Sequence, residues 1–288
     1  MMVSMWTTIF FLITLMVCVC ALVRARRWPS VRYTRRRAPD ASKGITTVLT
    51  TCCRSNVPSI HIIQRQFEGC RLVPELLDRI VIGFDGAALG PVQIHNKCRG
   101  ECDVEKYEIY IRSVIELARR YFKSVDYVVA PYRSCLTLNL KAALKRVTTD
   151  FVYICQEDLV IKTSFDVLAI MRIIAASTQI ELVRVSLNAN DFHIKFTRNF
   201  CGNMKPLTFL KEGAHTFTRC DQYADQNHIT YVDFYNDAIF PHVKEGDFME
   251  HQLICAHSSH PHLDSTMWFL GEQNGGDYVA HLDGRNAA

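Results

Sequence analysis

An apolar stretch that ends in acidic side chains is the part of this sequence with the clearest chemical content. The run Phe151 to Cys155 (FVYIC) leads directly into Gln156, Glu157 and Asp158. Carboxylate oxygens are the ligands that Mg²⁺ and Mn²⁺ prefer, and such a cation can bridge the phosphates of a diphosphate. An acidic pair after a strand is also common as an ordinary polar turn, so the surrounding elements must decide between the two interpretations.

Two further apolar segments end in groups that could bind a ligand. The β-branched segment Ile45 to Thr51 continues into Cys52-Cys53-Arg54, and Arg79 to Phe84 is closed by Asp85-Gly86. Both segments have the composition and length of buried strands. If all three strands are parallel neighbours, their carboxyl ends meet at one edge of the sheet, where open α/β folds bind ligands.

The predicted elements alternate as such a sheet requires. The predicted strands are Ile45–Thr51, Arg79–Phe84, Tyr127–Ala130, Phe151–Cys155 and Glu181–Leu187, and the predicted helices are Ile60–Phe67, Val104–Phe122, Leu136–Val147 and Phe165–Ala176. Strands that alternate with helices indicate βαβ crossovers and a mainly parallel sheet covered on both faces. From about residue 190 the alternation fades, so we expect a mixed and less regular second half.

The segment Leu138 to Val160 (LNLKAALKRVTTDFVYICQEDLV) resembles the centre of GT-A glycosyltransferases, especially family-2-like enzymes. In those enzymes a helix precedes a strand that ends in the metal-binding Asp-x-Asp motif. The resemblance extends over roughly residues 45–165 and is loose beyond. It implies an α/β GT-A-like fold and transfer of a sugar from a nucleotide-diphosphate sugar to an acceptor hydroxyl on a glycan, protein or lipid. It also implies an inverting reaction assisted by Mn²⁺ or Mg²⁺.

The resemblance assigns roles to individual residues. Asp158 would contact the metal, Gln156 and Glu157 the ribose or metal-bound water, and Asp85 the base or ribose. The predicted nucleotide-binding residues are Thr50, Arg54, Asp85, Asn139, Gln156 and Glu157. Gln156 departs from the family pattern, because an amide stands where the motif has its first carboxylate. This substitution predicts weaker metal binding than in the family, or catalysis without metal.

The second half contains candidates for the catalytic base and for a further metal ligand. An inverting enzyme of this kind needs a carboxylate to deprotonate the acceptor hydroxyl. Glu250 is the preferred base and Asp247 its rival, although Asp247 could equally be an acid at the start of a helix. By similarity to GT-A enzymes with a C-terminal histidine, His281 is the predicted second metal or diphosphate contact. The alternative is a structural histidine.

The amino-terminal segment has the properties of a membrane anchor. Residues 1–23 carry no charged side chain, and Trp6 to Val23 is an almost unbroken apolar run that just spans a bilayer core of roughly 30 Å. A cleaved signal peptide is the alternative, but it would have a basic amino-terminal region. The predicted organisation is therefore an anchor at 1–23, a basic stem at 24–43 and a catalytic domain at 44–288.

Charge bears on partners and on the side of the membrane. Seven arginines lie between residues 24 and 37, and without them the 33 basic residues fall to 26 against 29 acids. The remaining domain is slightly acidic, which disfavours nucleic acid as a partner. Arginines after the anchor predict a cytoplasmic domain, whereas the resemblance to anchored glycosyltransferases predicts a lumenal, Golgi-type one, which we prefer.

Two other functions are compatible with the same pattern. The first is a catalytically inactive GT-A-like membrane scaffold, which Gln156 would favour. The second is a sugar-1-phosphate nucleotidyltransferase, which shares the α/β start and the metal chemistry. That class has a glycine-rich loop after the first strand, and the segment Thr50 to Arg54 contains no glycine.

Overall fold

The computed structural model describes most of the predicted catalytic domain. The described residues are 35, 37–52, 60–89, 102–133, 135–185, 208–220, 223–244, 249–253, 263, 266–271 and 277–282. The predicted anchor, together with Arg54 and Asp247, lies outside these ranges. None of the described helices combines the length and the apolar character needed to cross a bilayer.

The described residues form eleven strands, and nine of them make up the sheet at the centre of the domain. The strands are β1 (Ile45–Thr51), β2 (Arg79–Phe84), β3 (Ser124–Val129), β4 (Phe151–Gln156), β5 (Leu159–Ile161), β6 (Leu182–Arg184), β7 (Phe209–Glu212), β8 (His215–Arg219), β9 (His228–Tyr231), β10 (Met267–Leu270) and β11 (Val279–His281). The order in the main sheet is β3-β2-β1-β4-β9-β6-β10-β8-β7, and β5 pairs with β11 in a separate two-stranded sheet. The strands from β3 to β4 are parallel, as predicted.

Helices cover both faces of the parallel part of this sheet. They are α1 (Ile60–Cys70), α2 (Val104–Tyr121), α3 (Cys135–Leu144), α4 (Val167–Ala176), the single turn α5 (Val232–Phe234) and α6 (Met249–Leu253). The chain moves outward from β1 through β2 to β3 and then crosses back to β4 on the other side of β1. Right-handed crossovers therefore place α1 and α2 on one face and α3 on the other. The reversal between β1 and β4 is a topological switch point.

Local sequence explains the first half well. All seven residues of β1 are buried, because the parallel strand is covered on both faces. In α2 the buried residues lie at helical spacing, and the Asp103 carboxylate accepts a hydrogen bond from the backbone N–H of Lys106. Such an amino-terminal cap stabilises a helix by about 1 kcal/mol. The predicted strands Ile45–Thr51 and Arg79–Phe84 are confirmed to the residue, and the α2 prediction ends one residue late.

The second half is mixed, as predicted. Strand β9 runs antiparallel to both of its neighbours, β4 and β6, so it reverses the pattern of the first half. Strands β10, β8 and β7 complete the sheet, the last two as an antiparallel hairpin. The sequence did not predict these short strands, because segments of four or five residues carry too little periodicity to be distinguished from loop.

Arg35 belongs to the folded domain although it lies within the predicted stem. Its guanidinium donates to the carbonyl oxygens of Ile174 (3.0 Å) and Ser177 (2.8 Å) at the carboxyl end of α4. It also donates to the Tyr231 hydroxyl and lies 3.5 Å from the Glu181 carboxylate. A cation at this position satisfies carbonyls that the helix leaves without partners and complements the helix dipole. Burial raises the pKa of Glu181 to about 7, against the opposing effect of Arg35.

Asp150 binds the residues that follow Arg35 and precede β1. Its carboxylate accepts from the Arg37 guanidinium (3.2 Å), from the Lys43 ammonium (3.1 Å) and from the backbone N–H of Asp40 (2.9 Å). Asp150 immediately precedes β4, so these contacts lie at the amino ends of the parallel strands. The chain therefore enters the domain at the edge opposite to the acidic turn after β4.

Candidate functional site

The three residues Gln156, Glu157 and Asp158 form a tight turn at the switch point of the sheet. Gln156 is the last residue of β4 and pairs in register with Thr50 of β1. Glu157 and Asp158 make the turn into β5, and both side chains are buried. Three separate parts of the chain hold this turn in place.

The first support comes from β1 and α2 and acts on Glu157. The Thr51 hydroxyl donates to the Glu157 carboxylate and contacts the Tyr110 hydroxyl at 2.8 Å. Because the Thr51 hydrogen is given to Glu157, Tyr110 must be the donor to Thr51. Burial, followed by the negative charge of Glu157, raises the pKa of Tyr110 well above its usual value, so its phenol keeps the proton that this bond needs.

The second support is Asn227, which precedes β9 and is fully buried. Its amide oxygen accepts from the backbone N–H of Gln156 (3.1 Å), and its amide nitrogen donates to the Leu159 carbonyl (2.7 Å) and the Tyr153 hydroxyl (2.9 Å). One side chain thus ties the residue before the acidic pair to the residue after it. Sequence reasoning missed Asn227, because a single asparagine before a strand carries no distinguishing signal.

The third support is the carboxyl-terminal strand β11, which also brings His281 to the site. His281 pairs with Leu159 in the β5–β11 sheet, and the backbone N–H of Leu282 donates to the Asp158 carbonyl (2.9 Å). This register places Nε2 of His281 3.8 Å from Oδ2 of Asp158. The two predicted metal ligands, 123 residues apart in sequence, are therefore neighbours in space.

Their separation suits a shared divalent cation. Two ligand atoms that are each about 2.1 Å from one ion lie at most about 4.2 Å apart, so 3.8 Å is within range. A carboxylate with an imidazole is a donor set for Mn²⁺ more than for Mg²⁺, which favours oxygen alone. Within the described ranges no group of three histidine, cysteine or acidic side chains forms a complete metal site. A diphosphate would have to supply further ligands.

Asp85 lies at the neighbouring strand end, as predicted. Its backbone N–H donates to the Thr51 carbonyl (3.0 Å), and the Tyr107 hydroxyl donates to the Asp85 carbonyl (2.8 Å). A side chain at Gly86 would bring a Cβ within 2.3 Å of the Tyr132 backbone, so only glycine permits this turn to pack here. The position of Asp85 is consequently fixed from both sides.

Asn139 lies beneath this edge and joins the strands that carry it. Its amide nitrogen donates to the carbonyl of Thr51 (3.1 Å), the last residue of β1, and to that of Gly83 (3.0 Å), the last but one of β2. Both donor hydrogens are therefore used within the protein. Thr50 pairs with Gly83 on one side and Gln156 on the other, so it too belongs to this edge.

Glu250 lies in a second polar cluster, not in the acidic turn. Its backbone N–H donates to the buried Asp225 carboxyl, and its charge contributes to the environment of Asp225 and Tyr223. Burial, and then the charge of Glu250, raises the pKa of Asp225 to about 8. Asp225 lies two residues before Asn227, whose side chain bonds to the backbone of Gln156. The segment 225–227 therefore contributes residues both to this cluster and to the acidic turn.

Comparison with known proteins bears on the fold. No family model and no curated protein matches the sequence. Solved structures that resemble it include a mannosyltransferase from Pyrobaculum calidifontis in complex with GDP-Man and Mn²⁺, at 11% identity and a TM-score of 0.50 over 92% of this chain. GalNAc-T7 with UDP, GalNAc and Mn²⁺ has 9% identity, 89% coverage of this chain, 46% of its own and a TM-score of 0.48. TarS from S. aureus is 10% identical, over 83% of this chain and 36% of its own, with a TM-score of 0.44.

Of these three, the mannosyltransferase alone reaches a TM-score of 0.5, and at 11% identity it bears on the fold and not on the substrate. The present chain covers 65% of its length. In this chain the parallel half has the order β3-β2-β1-β4 and the second half is mixed. The chain has a GT-A-like fold.

Proposed function

We propose that this protein is a membrane-anchored glycosyltransferase that moves a sugar from a nucleotide-diphosphate sugar to an acceptor hydroxyl. The observation that carries the proposal is the acidic turn at the switch point, with Asp158 and His281 side by side. A metal-bridged diphosphate needs such a turn, whereas an ordinary polar turn would not need buried carboxylates held by three parts of the chain.

The residues of the site divide into three tasks. Asp158 and His281 would hold Mn²⁺ or Mg²⁺, which neutralises charge on the leaving diphosphate. Asp85 would accept a hydrogen bond from the base or ribose at the end of β2. Thr50, Gln156 and Glu157 would line the ribose and metal side, while Asn139 and Asn227 keep the strand ends and the turn in register.

The acceptor side is proposed to lie at the second cluster. An inverting displacement requires a carboxylate that removes the acceptor proton as the sugar is transferred. Glu250 takes this role in our proposal, because it is an acid in the second half of the chain and is linked to a buried polar network through Asp225. Asp247 stays the rival candidate, and it lies outside the described residues.

Donor binding tests this function. We expect the full chain in detergent to bind one nucleotide sugar, among GDP- and UDP-linked sugars, more tightly with Mn²⁺ than without. Asp85→Ala should weaken nucleotide binding about 10- to 100-fold, the value of one or two hydrogen bonds to a charged group. Asp78→Ala is the matched control, because the Asp78 side chain forms a surface ion pair with Lys123 just before β2, away from the strand ends.

The result also separates an enzyme from a scaffold. Gln156 in place of a carboxylate supports a chain that keeps the fold without activity. Binding of a nucleotide sugar with no transfer and no slow hydrolysis of the donor would favour that scaffold. Failure of every nucleotide sugar to bind the folded protein would refute both.

The anchor and the lumenal placement of the domain are further parts of the proposal. They rest on the uncharged segment 1–23 and on the resemblance to anchored glycosyltransferases. In sealed microsomes that contain the full chain, we expect added protease to leave the domain intact until detergent opens the membrane. Digestion from outside without detergent would place the domain in the cytoplasm.

A further inference from the structure

The amino-terminal edge of the parallel sheet, opposite to the acidic turn, is formed by four short segments. One segment enters β1, and the other three lead from α1, α2 and α3 into β2, β3 and β4. Lys123 forms an ion pair with Asp78 (2.6 Å). Arg79 donates to the Thr148 hydroxyl (3.3 Å), and Asp150 holds the entering segment, so contacts join all four. The segments are 37–44, 71–79, 119–124 and 145–150.

Basic side chains dominate this surface, which we call the basic edge. The four segments contain nine basic residues and four acidic ones, although the chain after residue 37 has 26 basic residues against 29 acidic ones. Positive charge is therefore concentrated at one edge of a slightly acidic domain. All nine basic side chains are exposed, and they are Arg37, Lys43, Arg71, Arg79, Arg119, Arg120, Lys123, Lys145 and Arg146.

The acids of the basic edge neutralise only a part of it. Asp150 binds Arg37 and Lys43, and Asp78 binds Lys123. In the part of the chain that the structure describes, the other basic side chains of the edge form no ion pair with a carboxylate. They are Arg71, Arg79, Arg119, Arg120, Lys145 and Arg146.

Helix ends explain some of these cations. The carboxyl end of each helix carries about half a negative charge, which a nearby cation offsets. The last turn of α2 contains both Arg119 and Arg120, with Lys123 just beyond it. Lys43 and Arg79 lie at the starts of strands, where no helix dipole ends. The basic edge thus carries more positive charge than the three helix ends require.

We propose that the basic edge is a docking surface for a membrane that contains anionic phospholipids. Each lysine or arginine near such a surface strengthens binding about fivefold. Leu72 is 44% exposed beside Arg71, and an apolar side chain among cations can enter the headgroup region of a bilayer.

The chain that enters this edge favours a membrane over nucleic acid as the partner. Arg35 is bound to the end of α4, and the residues before it in sequence include four more arginines and the uncharged apolar segment 1–23. Anionic lipids are concentrated in the cytoplasmic leaflet of membranes. A basic edge therefore favours the cytoplasmic placement, which the arginines after the predicted anchor also favour, over the lumenal one.

The consequence for the acceptor rests on the proposed function. The acidic turn lies at the other end of strands of six or seven residues, about 20 Å from the basic edge. With the basic edge on the bilayer, the site would face away from the lipid. An acceptor hydroxyl would then have to reach the site from the aqueous side, which a protein or an extended glycan can do and the headgroup of a membrane lipid cannot.

Photo-cross-linking to lipid tests the docking on the full chain. Ser124→p-benzoylphenylalanine places a cross-linker at the basic edge, and Glu105→p-benzoylphenylalanine places one in the first turn of α2, at the opposite end of that helix. The chain is reconstituted in nanodiscs of phosphatidylcholine with or without phosphatidylserine. We expect phosphatidylserine to increase lipid adducts at position 124 about fivefold or more and to leave adducts at position 105 low. High salt should reverse the increase.

Two matched variants show whether the increase depends on the charges of this edge. The first removes four cations that end α2 or follow α3, and it should return adducts at position 124 to the level seen without phosphatidylserine: Arg119→Gln, Arg120→Gln, Lys145→Gln and Arg146→Gln. The second removes four exposed cations elsewhere on the domain and should leave the increase unchanged: Lys106→Gln, Lys162→Gln, Lys211→Gln and Lys244→Gln. Thermal unfolding confirms that both variants are folded.

Several results would overturn the docking surface. They are equal adducts at position 124 in both kinds of nanodisc, an equal loss of adducts in both variants, and more adducts at position 105 than at 124. Binding of RNA by the full chain in uncharged detergent, without any effect of phosphatidylserine on the adducts, would assign the basic edge to nucleic acid instead.

The docking surface and the proposed function fail in different ways. A chain that binds no nucleotide sugar can still form the adducts, and the basic edge would then stand without its consequence for the acceptor. An active transferase whose adducts ignore phosphatidylserine would keep the proposed function and refute the docking. If carbonate extracts the chain from vesicles, the predicted anchor is wrong, and the same adducts are measured after the chain is added to preformed vesicles.

Discussion

Asp158→Asn is expected to abolish sugar transfer and, with it, the effect of Mn²⁺ on nucleotide binding. The substitution keeps the size of the side chain but removes the negative charge that faces Nε2 of His281 at 3.8 Å. Stabilisation of a developing charge is commonly the largest catalytic contribution, and loss of one such group costs about 10²- to 10³-fold in rate. Calorimetric titration with a nucleoside diphosphate, with and without Mn²⁺, measures the binding half of this prediction.

A second substitution at the same turn, Gln156→Asp, adds a carboxylate where Asp158→Asn removes one. Gln156→Asp supplies the carboxylate that the family motif has at this position, and it should tighten Mn²⁺ binding. The hydrogen bond from the backbone N–H of Gln156 to the Asn227 side chain does not involve the side chain at position 156, so the substitution should preserve it. The two variants therefore move metal affinity in opposite directions.

Asp277→Asn controls for a general loss of charge near β11. Asp277 is exposed and pairs with Lys162, beside the same small sheet but away from the turn. It should leave both metal affinity and turnover near their original values. If Asp158→Asn and Gln156→Asp both leave Mn²⁺ binding untouched while transfer continues, the turn is not the metal site.

Gly83→Ala is expected to have the largest effect on stability. A Cβ at this position would lie 2.2 Å from Oδ1 of Asn139, far inside contact distance, and the amide cannot move without breaking its bonds to the carbonyls of Thr51 and Gly83. Overpacking of a core commonly costs about 1–3 kcal/mol, and the additional loss of two buried hydrogen bonds places this variant at or above the upper end. Denaturant unfolding measures the free energy.

A double-mutant cycle with Asn139→Ala assigns this cost to its cause. Asn139→Ala alone removes the two hydrogen bonds and leaves space beside Gly83. In the double variant the new methyl group enters that space, so the combined loss should fall short of the sum of the two single losses by about 1 kcal/mol or more. Simple additivity would show that Gly83→Ala acts through something other than the contact with Asn139.

The sequence by itself determined the first half of the fold, which contains the parallel strands. Strands β1 and β2 were predicted to the residue, since both are short segments rich in β-branched or apolar residues, with polar or turn-forming residues at their ends. The predicted ends of β2 and β4 also placed Asp85 and Asp158 at one edge of the sheet, because parallel strands in such a sheet all end at the same side. These inferences depend on local patterns, which a single sequence contains.

Tertiary structure decided which distant side chains meet at that edge. His281 lies beside Asp158 because β11 pairs with β5. Asn227 bonds to the backbone of the turn because β9 pairs with β4. The hydrogen bonds that join Tyr223, Tyr235 and His228 likewise depend on side chains that converge in space. Sequence carries no record of such contacts, because each is set by strand order and register, which a local pattern of apolar and polar residues leaves undetermined.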